Sequence, residues 1–404
     1  MESPSVTPSA DKKPSRAARK GHQQLLRPPF ECIALLLQGG GALGAYQGGV
    51  YQALSEAHLD PDWVAGISIG AVNAALIAGN APAARLGKLR EFWKRVTRSS
   101  PFDGVALPGM APFAVRGDLA RGVANQLSAG AALVGGVPGF FAPRFPVAWL
   151  QPPGSTEATS YYDTAPLRST LEELIDFDRI NSGDVRFSVG AVNVGTGNFV
   201  YFDNTTHTIG PEHVMASGAL PPAFPAVEIE GEFYWDGGLV SNTPLQWVLE
   251  SEPRRDTLAF QVDLWSARGS TPRTMTEVMT RQKEIQYSSR TRSNSDRFKY
   301  TQKLRNAVAG LLEKLPHELR DSPEVTILEP VACPKVYNLV HLIYRAKRYE
   351  GDSKDYEFSR RSMEDHWLAG YHDTVRTLRH PEVLQRPHNL EGVLTFDLSQ
   401  NGRE

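Results

Sequence analysis

Short apolar runs alternate with longer helical stretches from Glu31 onward. Such alternation is typical of a parallel sheet with helices on both of its faces, so the pattern predicts an α/β fold. We expect the run at 258–263 to be the last strand of this sheet. The predicted strands are residues 33–38, 63–67, 186–194, 199–202, 232–235 and 258–263. The helices predicted between them include residues 44–57, 70–78 and 164–175.

Three segments depart from this alternation. Residues 1–28 are predicted to be a disordered basic tail, because their Ser, Pro, Lys and Arg bury too little apolar surface to fold. Residues 101–161 are dense in Gly, Pro and Ala, and an irregular stretch of this length is usually functional or disordered. Residues 266–404 are predicted to be a mainly helical C-terminal extension. Its predicted helices are residues 274–315 and 355–378, and its candidate strands are residues 325–328 and 336–343.

The composition argues against several functional classes. A formal net charge of −2 gives the chain no general attraction to nucleic acid. Cys32 and Cys333 have no spacing typical of a disulfide framework or a zinc site, and the ten histidines show no metal-ligand pattern. No run approaches the ~18 apolar residues of a membrane-spanning helix. We therefore expect a cytoplasmic protein without metal, cofactor or nucleic acid.

Basic residues are concentrated in two places. The tail carries six Lys and Arg residues from Lys12 to Arg27, and residues 273–305 carry nine against three acidic residues. A solubilising leader and a solvated helix face are the simplest interpretations. The alternative for both segments is peripheral contact with an anionic membrane surface.

The first predicted strand runs into a glycine-rich turn, LLLQGGGALGAYQGG at residues 35–49. Gly39, Gly41 and Gly44 match the G-x-G-x-x-G spacing of a dinucleotide-binding turn. The same glycines, with Gly40 between them, could instead turn their amides toward the oxyanion of a carbonyl group under attack. The turn by itself leaves both interpretations open.

The second predicted strand ends in GISIG, which comprises Gly66, Ser68 and Gly70 at alternate positions. A strand, Gly-x-Ser-x-Gly and a helix together describe a nucleophile elbow, in which the serine lies at the head of the helix. A dinucleotide site would instead need an acidic residue at the end of this strand. Asp60 and Asp62 come before the strand, so the pattern favours the oxyanion interpretation.

A serine nucleophile needs a base, and Asp236 follows a short aromatic strand in the segment EFYWDGGLVSNTP. Gly237 and Gly238 leave the aspartate side chain little steric hindrance at the strand end. Taken alone, Asp-Gly-Gly is an ordinary turn sequence. The combination with the other two motifs changes that interpretation.

The three motifs, in this order, resemble those of the patatin-like phospholipase family. ASGALPPAFP at residues 216–225 is also similar to the family's Ala-Ser-x-x-x-Pro segment, and the resemblance covers residues 31–263. The remaining chain resembles the C-terminal extension, of unassigned role, in one bacterial branch of the family. The resemblance implies a three-layer α/β/α sandwich with a mostly parallel sheet and a catalytic domain at residues 29–265.

The resemblance also implies a mechanism for lipid or acyl-ester hydrolysis. Ser68 would attack the ester carbonyl and form an acyl-enzyme, with Asp236 accepting the serine proton directly. Main-chain amides from Gly39 to Ala42 would bind the oxyanion. Many family members carry Arg or Lys where this chain has Leu43, and this departure puts the preference for a phospholipid head group in question.

Other interpretations stay open at this point. Six histidines follow Asp236, so chain order permits a Ser-Asp-His triad, although no histidine lies in a glycine-rich loop after a strand. A non-catalytic lipid-binding module and a nucleotide-dependent oxidoreductase are the alternatives from other classes. Residues 101–161 are expected to form a lid or acyl-binding wall, because this long segment includes the aromatic residues Phe140, Phe141, Phe145 and Trp149.

Overall fold

A computed structural model of the chain describes residues 26–98, 118–288, 291–347, 349–389 and 391–398. Most of the predicted basic tail and the first part of the predicted lid segment lie outside these residues. Within the described residues, no helix is long and apolar enough to cross a membrane.

The strands and helices alternate along the chain as the apolar pattern predicts. The strands are β1 (Cys32–Leu37), β2 (Trp63–Gly66), β3 (Ala142–Pro143), β4 (Tyr162–Asp163), β5 (Arg186–Asn193), β6 (Phe199–Asp203), β7 (Val227–Ile229), β8 (Glu232–Asp236), β9 (Thr257–Asp263), β10 (Tyr337–Ile343) and β11 (Val393–Phe396). The helices are α1 (Ala45–Glu56), α2 (Ile69–Ala78), α3 (Pro82–Arg95), α4 (Asp118–Gly135), α5 (Ala165–Leu174), α6 (Phe177–Asn181), α7 (Pro211–Ser217), α8 (Leu245–Glu250), α9 (Met275–Tyr287), α10 (Thr291–Glu313), α11 (Pro323–Leu328) and α12 (Arg360–Leu378).

Nine strands of the described residues form one central sheet in the order β11-β10-β9-β1-β2-β5-β8-β7, with β6 also paired to β5. The six strands from β11 to β5 are parallel to one another, whereas β6, β7 and β8 pair antiparallel. β1 lies in the interior of the sheet, and all six of its residues are buried. A continuous apolar run is typical of a parallel strand covered on both faces.

Two layers of helices cover the sheet. Leu35 and Leu37 of β1 belong to the core that includes α1, α2 and α12. Ala34 and Leu36 point to the opposite face, where α8 and Phe298 of α10 pack. The chain is therefore a three-layer α/β/α structure, as predicted.

The C-terminal extension contributes strands as well as helices to this structure. β10 and β11 extend the sheet beyond β9. The expectation that the run at 258–263 is the last strand was therefore wrong, since β9 is an internal strand. Residues 325–328 form part of α11 and not a strand. The sequence Ser322-Pro323 places proline in the first turn of that helix, where its missing amide costs nothing.

The predicted lid segment is partly regular. Its described part contains α4 and the short strand β3, which pairs antiparallel with β4 just beyond the segment. The alanines of α4 have high helix propensity, which compensates for the glycines that made the segment look irregular.

Helices α1 and α12 pack with their main chains in contact. A Cβ atom added to Gly49 would lie 1.8 Å from the carbonyl oxygen of Trp367, and one added to Gly370 would lie 2.0 Å from that of Tyr46. The Trp367 ring is fully buried between the helices, and its Nε1 donates to Oε1 of Gln52 at 2.8 Å. The extension is therefore packed into the core of the molecule.

We expect Gly370→Ala to lower the free energy of unfolding by about 1–3 kcal/mol, because the added methyl group must push the two helices apart. Gly87→Ala in α3 is the matched control, since nothing lies within 4 Å of a Cβ atom there. That substitution should be neutral or stabilising by up to about 1 kcal/mol. Urea unfolding monitored by circular dichroism measures both changes, and equal effects would contradict the close packing.

Candidate active site

The glycine-rich turn lies at the carboxyl end of β1 and leads through a 3-10 helix, Gly41–Gly44, into α1. A Cβ atom at Gly39 would lie 2.9 Å from that of Ser68, and one at Gly40 would lie 2.9 Å from Cδ1 of Leu264. Gly41 has φ +54°, and a Cβ atom there would lie 2.0 Å from the carbonyl oxygen of Asp355. The turn therefore has no room for side chains.

Ser68 lies between β2 and α2 in a strained conformation, with φ 55° and ψ −124°. Such an outlier persists only where the surrounding structure fixes it. A Cβ atom at Gly66 would lie 2.2 Å from the carbonyl oxygen of Gly70, and one at Gly70 would lie 2.2 Å from that of Leu37. The strand, sharp turn and helix have the form that the Gly-x-Ser-x-Gly motif predicts.

The ASGALPPAFP segment supports this turn. The amide of Ser68 donates to both the carbonyl oxygen and Oγ of Ser217, each at 3.1 Å. The Ser217 hydroxyl in turn donates to the carbonyl oxygen of Gly190 at 2.7 Å. These bonds tie the serine turn to α7 and β5.

Asp236 is the last residue of β8, and its side chain is buried. The Ser68 side chain lies beside this carboxylate, and both residues line the same cavity. The Gly238 amide donates to Asp236 Oδ1 at 2.7 Å. Burial raises the pKa of Asp236 to about 6, while the Ser68 side chain and the Gly238 amide act in the opposite direction. Gly237 packs against β5, where a Cβ atom would lie 2.6 Å from the carbonyl oxygen of Gly190.

The main-chain amides around Ser68 differ in whether they already donate a hydrogen bond. The Ala42 amide donates to the carbonyl oxygen of Asp355 at 2.8 Å, so this member of the predicted donor set is already occupied. The Gly39 amide makes a long bond of 3.4 Å to the carbonyl oxygen of Asn242. Within the part of the chain that the structure describes, the amides of Gly40, Gly41 and Ile69 donate no hydrogen bond. Ile69 directly follows the serine and was not predicted from the sequence.

Asn242 and Trp265 donate hydrogen bonds to the main chain of the glycine-rich turn, and the sequence analysis predicted neither. Asn242 Nδ2 donates to the carbonyl oxygens of Gly39 at 3.2 Å and Tyr287 at 2.9 Å. Trp265 Nε1 donates to the same Gly39 oxygen at 3.0 Å. Asn242 lies in the segment SNTP just after the Asp-Gly-Gly motif, and this proximity was the one available signal.

A cavity of ≈ 220 Å³ opens at Ser68 and Asp236. Most of its wall is apolar or aromatic, which is typical of sites for small molecules. The apolar and aromatic residues that line it are Ile69, Val72, Leu133, Phe140, Phe141, Tyr162, Leu167, Leu220, Ala223, Phe224, Trp265, Tyr287, Tyr356 and Phe358. Leu43 is fully buried in the core and does not line the cavity, so the departure from the family pattern lies away from this wall.

The predicted lid segment divides into two parts. Phe140 and Phe141 line the cavity and pack against Phe224 and Phe358. Phe145 and the nearby Trp149 are not in the cavity wall; Phe145 is 96% exposed. Of the four aromatic residues named in this segment, Phe140 and Phe141 line the cavity and the other two do not.

Neither the histidine nor the dinucleotide alternative finds support in this geometry. No histidine of the described residues lines the cavity. Asp62 accepts a bond from the Ile33 amide at 2.7 Å and Asp60 pairs with Arg85, which places both acids at the amino end of the strands, away from the glycine-rich turn. The described residues also contain no cluster of side chains able to hold a metal ion.

Comparisons with known proteins agree with the motifs. A family model described as patatin-like phospholipase matches residues 35–248, which is more than half of the chain. A second model, described as patatin phospholipase, matches residues 285–390 in the C-terminal extension. No curated protein matches the chain.

Among solved structures, the chain is similar to VipD from Legionella pneumophila. The two share 16% sequence identity, and the similarity covers 94% of this chain and 76% of that one, with a TM-score of 0.39. The match of the family model to residues 35–248 shows the family. The chain belongs to the patatin-like phospholipase family.

Proposed function

We propose that the chain hydrolyses acyl esters of lipids, with Ser68 as the nucleophile and Asp236 as its general base. The observation that carries this proposal is the placement of Ser68, in its strained turn, beside the buried Asp236 carboxylate at one cavity. Membership of the patatin-like phospholipase family supports lipid acyl hydrolysis in general terms. The pairing of these two residues supports the mechanism.

Asp236 would supply both proton transfers of the reaction. As Ser68 Oγ attacks the ester carbonyl carbon, its proton passes to the carboxylate and then to the departing alcohol. A water molecule then attacks the carbonyl carbon of the acyl-enzyme; its proton passes to Asp236 and from there to Ser68 Oγ, and the acid is released. A base works best when its pKa lies near the working pH. Burial raises the pKa of Asp236 to about 6, which suits this role while leaving the carboxylate ionised at neutral pH.

The oxyanion of each tetrahedral intermediate would be bound by the unengaged amides of Gly40, Gly41 and Ile69. Gly40 and Gly41 line the cavity beside Ser68. The amino end of α2 adds the positive end of a helix dipole at the same place. Fixed donors of this kind are worth about 3–4 kcal/mol each in other hydrolases.

The aromatic wall supports an acyl chain as the bound group. Phe140, Phe141 and Phe224 form edge-to-face and tilted contacts beside the nucleophile. Such a wall stabilises a hydrocarbon chain through removal of apolar surface from water. A lipid acyl ester therefore fits the site better than a polar ester.

We expect the protein to hydrolyse p-nitrophenyl esters, and both Ser68→Ala and Asp236→Asn to reduce the rate at least about a thousandfold. The first variant removes the nucleophile and the second removes the proton acceptor. Rates measured with acyl chains from short to long would test the activity and measure the length that the cavity accepts. A folded parent protein that binds lipid without turnover would instead support a non-catalytic binding module.

The charge of Asp236 predicts opposite effects of pH on rate and stability. Its raised pKa means that kcat should fall as pH drops below about 6, because the protonated carboxyl cannot accept the serine proton. Because burial favours the protonated form of Asp236, its contribution to the stability of the folded state is complete below the ordinary pKa of aspartate. This contribution is lost as pH rises through about 6. Asp236→Asn should therefore stabilise the protein at pH 8, by up to about 3 kcal/mol, with little gain at pH 4. Urea unfolding at both pH values measures this difference, and an equal effect at both would contradict it.

Phe140→Ala should lower the rate on long-chain esters roughly tenfold more than on short-chain esters, since it removes part of the apolar wall. Phe145→Ala is the matched control, because that ring lies outside the cavity wall and is 96% exposed. Its chain-length profile should equal that of the parent protein. A uniform loss across all chain lengths in Phe140→Ala would speak against an acyl-binding wall.

A further inference from the structure

A segment of the C-terminal extension, residues 352–358, crosses the glycine-rich turn. The carbonyl oxygen of Asp355 in this segment accepts a hydrogen bond from the Ala42 amide at 2.8 Å. A Cβ atom added to Gly41 would lie 2.0 Å from the same oxygen. Tyr356 and Phe358 continue the segment into the cavity wall. The conformation of the turn therefore depends on where this segment lies.

One lysine fixes the segment at two points. Lys283 Nζ donates to Asp355 Oδ1 at 2.9 Å and Oδ2 at 3.1 Å, and also to the carbonyl oxygen of Asp352 at 2.8 Å. The Lys283 and Asp355 side chains are only 29% and 22% exposed. A fully exposed ion pair contributes little to a structure, whereas this one is shielded and joined by several hydrogen bonds.

The helix that carries Lys283 also contacts the turn from its other side. Lys283 and Tyr287 lie four residues apart on α9, so they share one face of that helix. The carbonyl oxygen of Tyr287 accepts hydrogen bonds from Gln38 Nε2 at 3.2 Å and Asn242 Nδ2 at 2.9 Å. α9 and residues 352–358 thus hold the turn between them.

We propose that Lys283 and Asp355 are a positioning pair, which holds the glycine-rich turn in the shape that binds the oxyanion. This inference rests on the proposed ester hydrolysis and gives the C-terminal extension a part in it. With the Ala42 amide tied to Asp355, the neighbouring amides of Gly40 and Gly41 remain directed by a fixed backbone. A displacement of about 1 Å at such a site can reduce a rate roughly a hundredfold.

The test compares Lys283→Met, Asp355→Asn and the double variant in p-nitrophenyl ester hydrolysis by the full chain. We expect each to lose kcat roughly ten- to a hundredfold with KM changed less than about twofold. The double variant should be no worse than either single variant, because both remove one interaction. Lys283→Arg should recover part of the rate, since a guanidinium can still bind the carboxylate.

Charge alone would give a different result. If the pair acted only through its field on the oxyanion, Lys283→Met and Asp355→Asn would change kcat in opposite directions, and this outcome would overturn the positioning role. The matched control is Lys335→Met, which removes an ion pair with Glu31 of 2.7 and 2.8 Å between the extension and the start of β1. That pair lies away from the turn, so the control should keep the parent kcat.

Hydrogen exchange gives a readout that does not depend on activity. In Lys283→Met, a peptide containing Ala42 should exchange faster than in the parent protein and in Lys335→Met, since the bond to Asp355 loosens. If Lys283→Met keeps both the exchange rate and the kcat of the parent protein while Ser68→Ala is inactive, the positioning role is overturned and the proposed function stands. A parent protein without ester hydrolysis would overturn the proposed function and the positioning role together.

Discussion

The site depends on close contacts between main-chain atoms at the carboxyl ends of β1 and β2. Gly66 and Gly70 meet within the serine turn, and Gly70 also meets Leu37 at the end of β1. Only glycine permits these contacts, because any Cβ atom would occupy the volume of a neighbouring carbonyl group. The strained Ser68 is stable only because the turn is enclosed in this way, and it thereby lines the same cavity as Asp236.

A second constraint is electrostatic. Asp236 is buried beside an apolar cavity, and among the described residues its carboxylate has no ion pair. The Gly238 amide donates a hydrogen bond to it, and the Ser68 side chain also acts to lower its pKa. The protein therefore keeps a group whose ionised form opposes folding at neutral pH. Such a conflict between stability and local chemistry is common at functional sites. The rest of the sheet, which is almost wholly apolar around β1, supplies the stability that tolerates it.

The C-terminal extension is part of the same packed structure. β10 and β11 complete one side of the sheet, α12 packs closely on α1, and residues 352–358 reach the glycine-rich turn. Removal of the extension would expose one side of β9 and the apolar face of α1, in addition to opening the cavity wall at Tyr356 and Phe358. The separate family model for residues 285–390 thus describes a region that extends the sheet and reaches the cavity wall.

The sequence by itself determined the α/β pattern, the family and the local form of each motif, because strand periodicity, glycine spacing and turn residues act over a few positions. It did not place β9 inside the sheet, and it did not show that the Ala42 amide is occupied or that Ile69 has a free one. Nor did it connect Asn242, Lys283 and Asp355 with the turn. These facts depend on hydrogen bonds between residues up to several hundred positions apart, and such contacts leave no local pattern. Only the tertiary structure decided them, because only packing of the whole chain brings those groups within bonding distance.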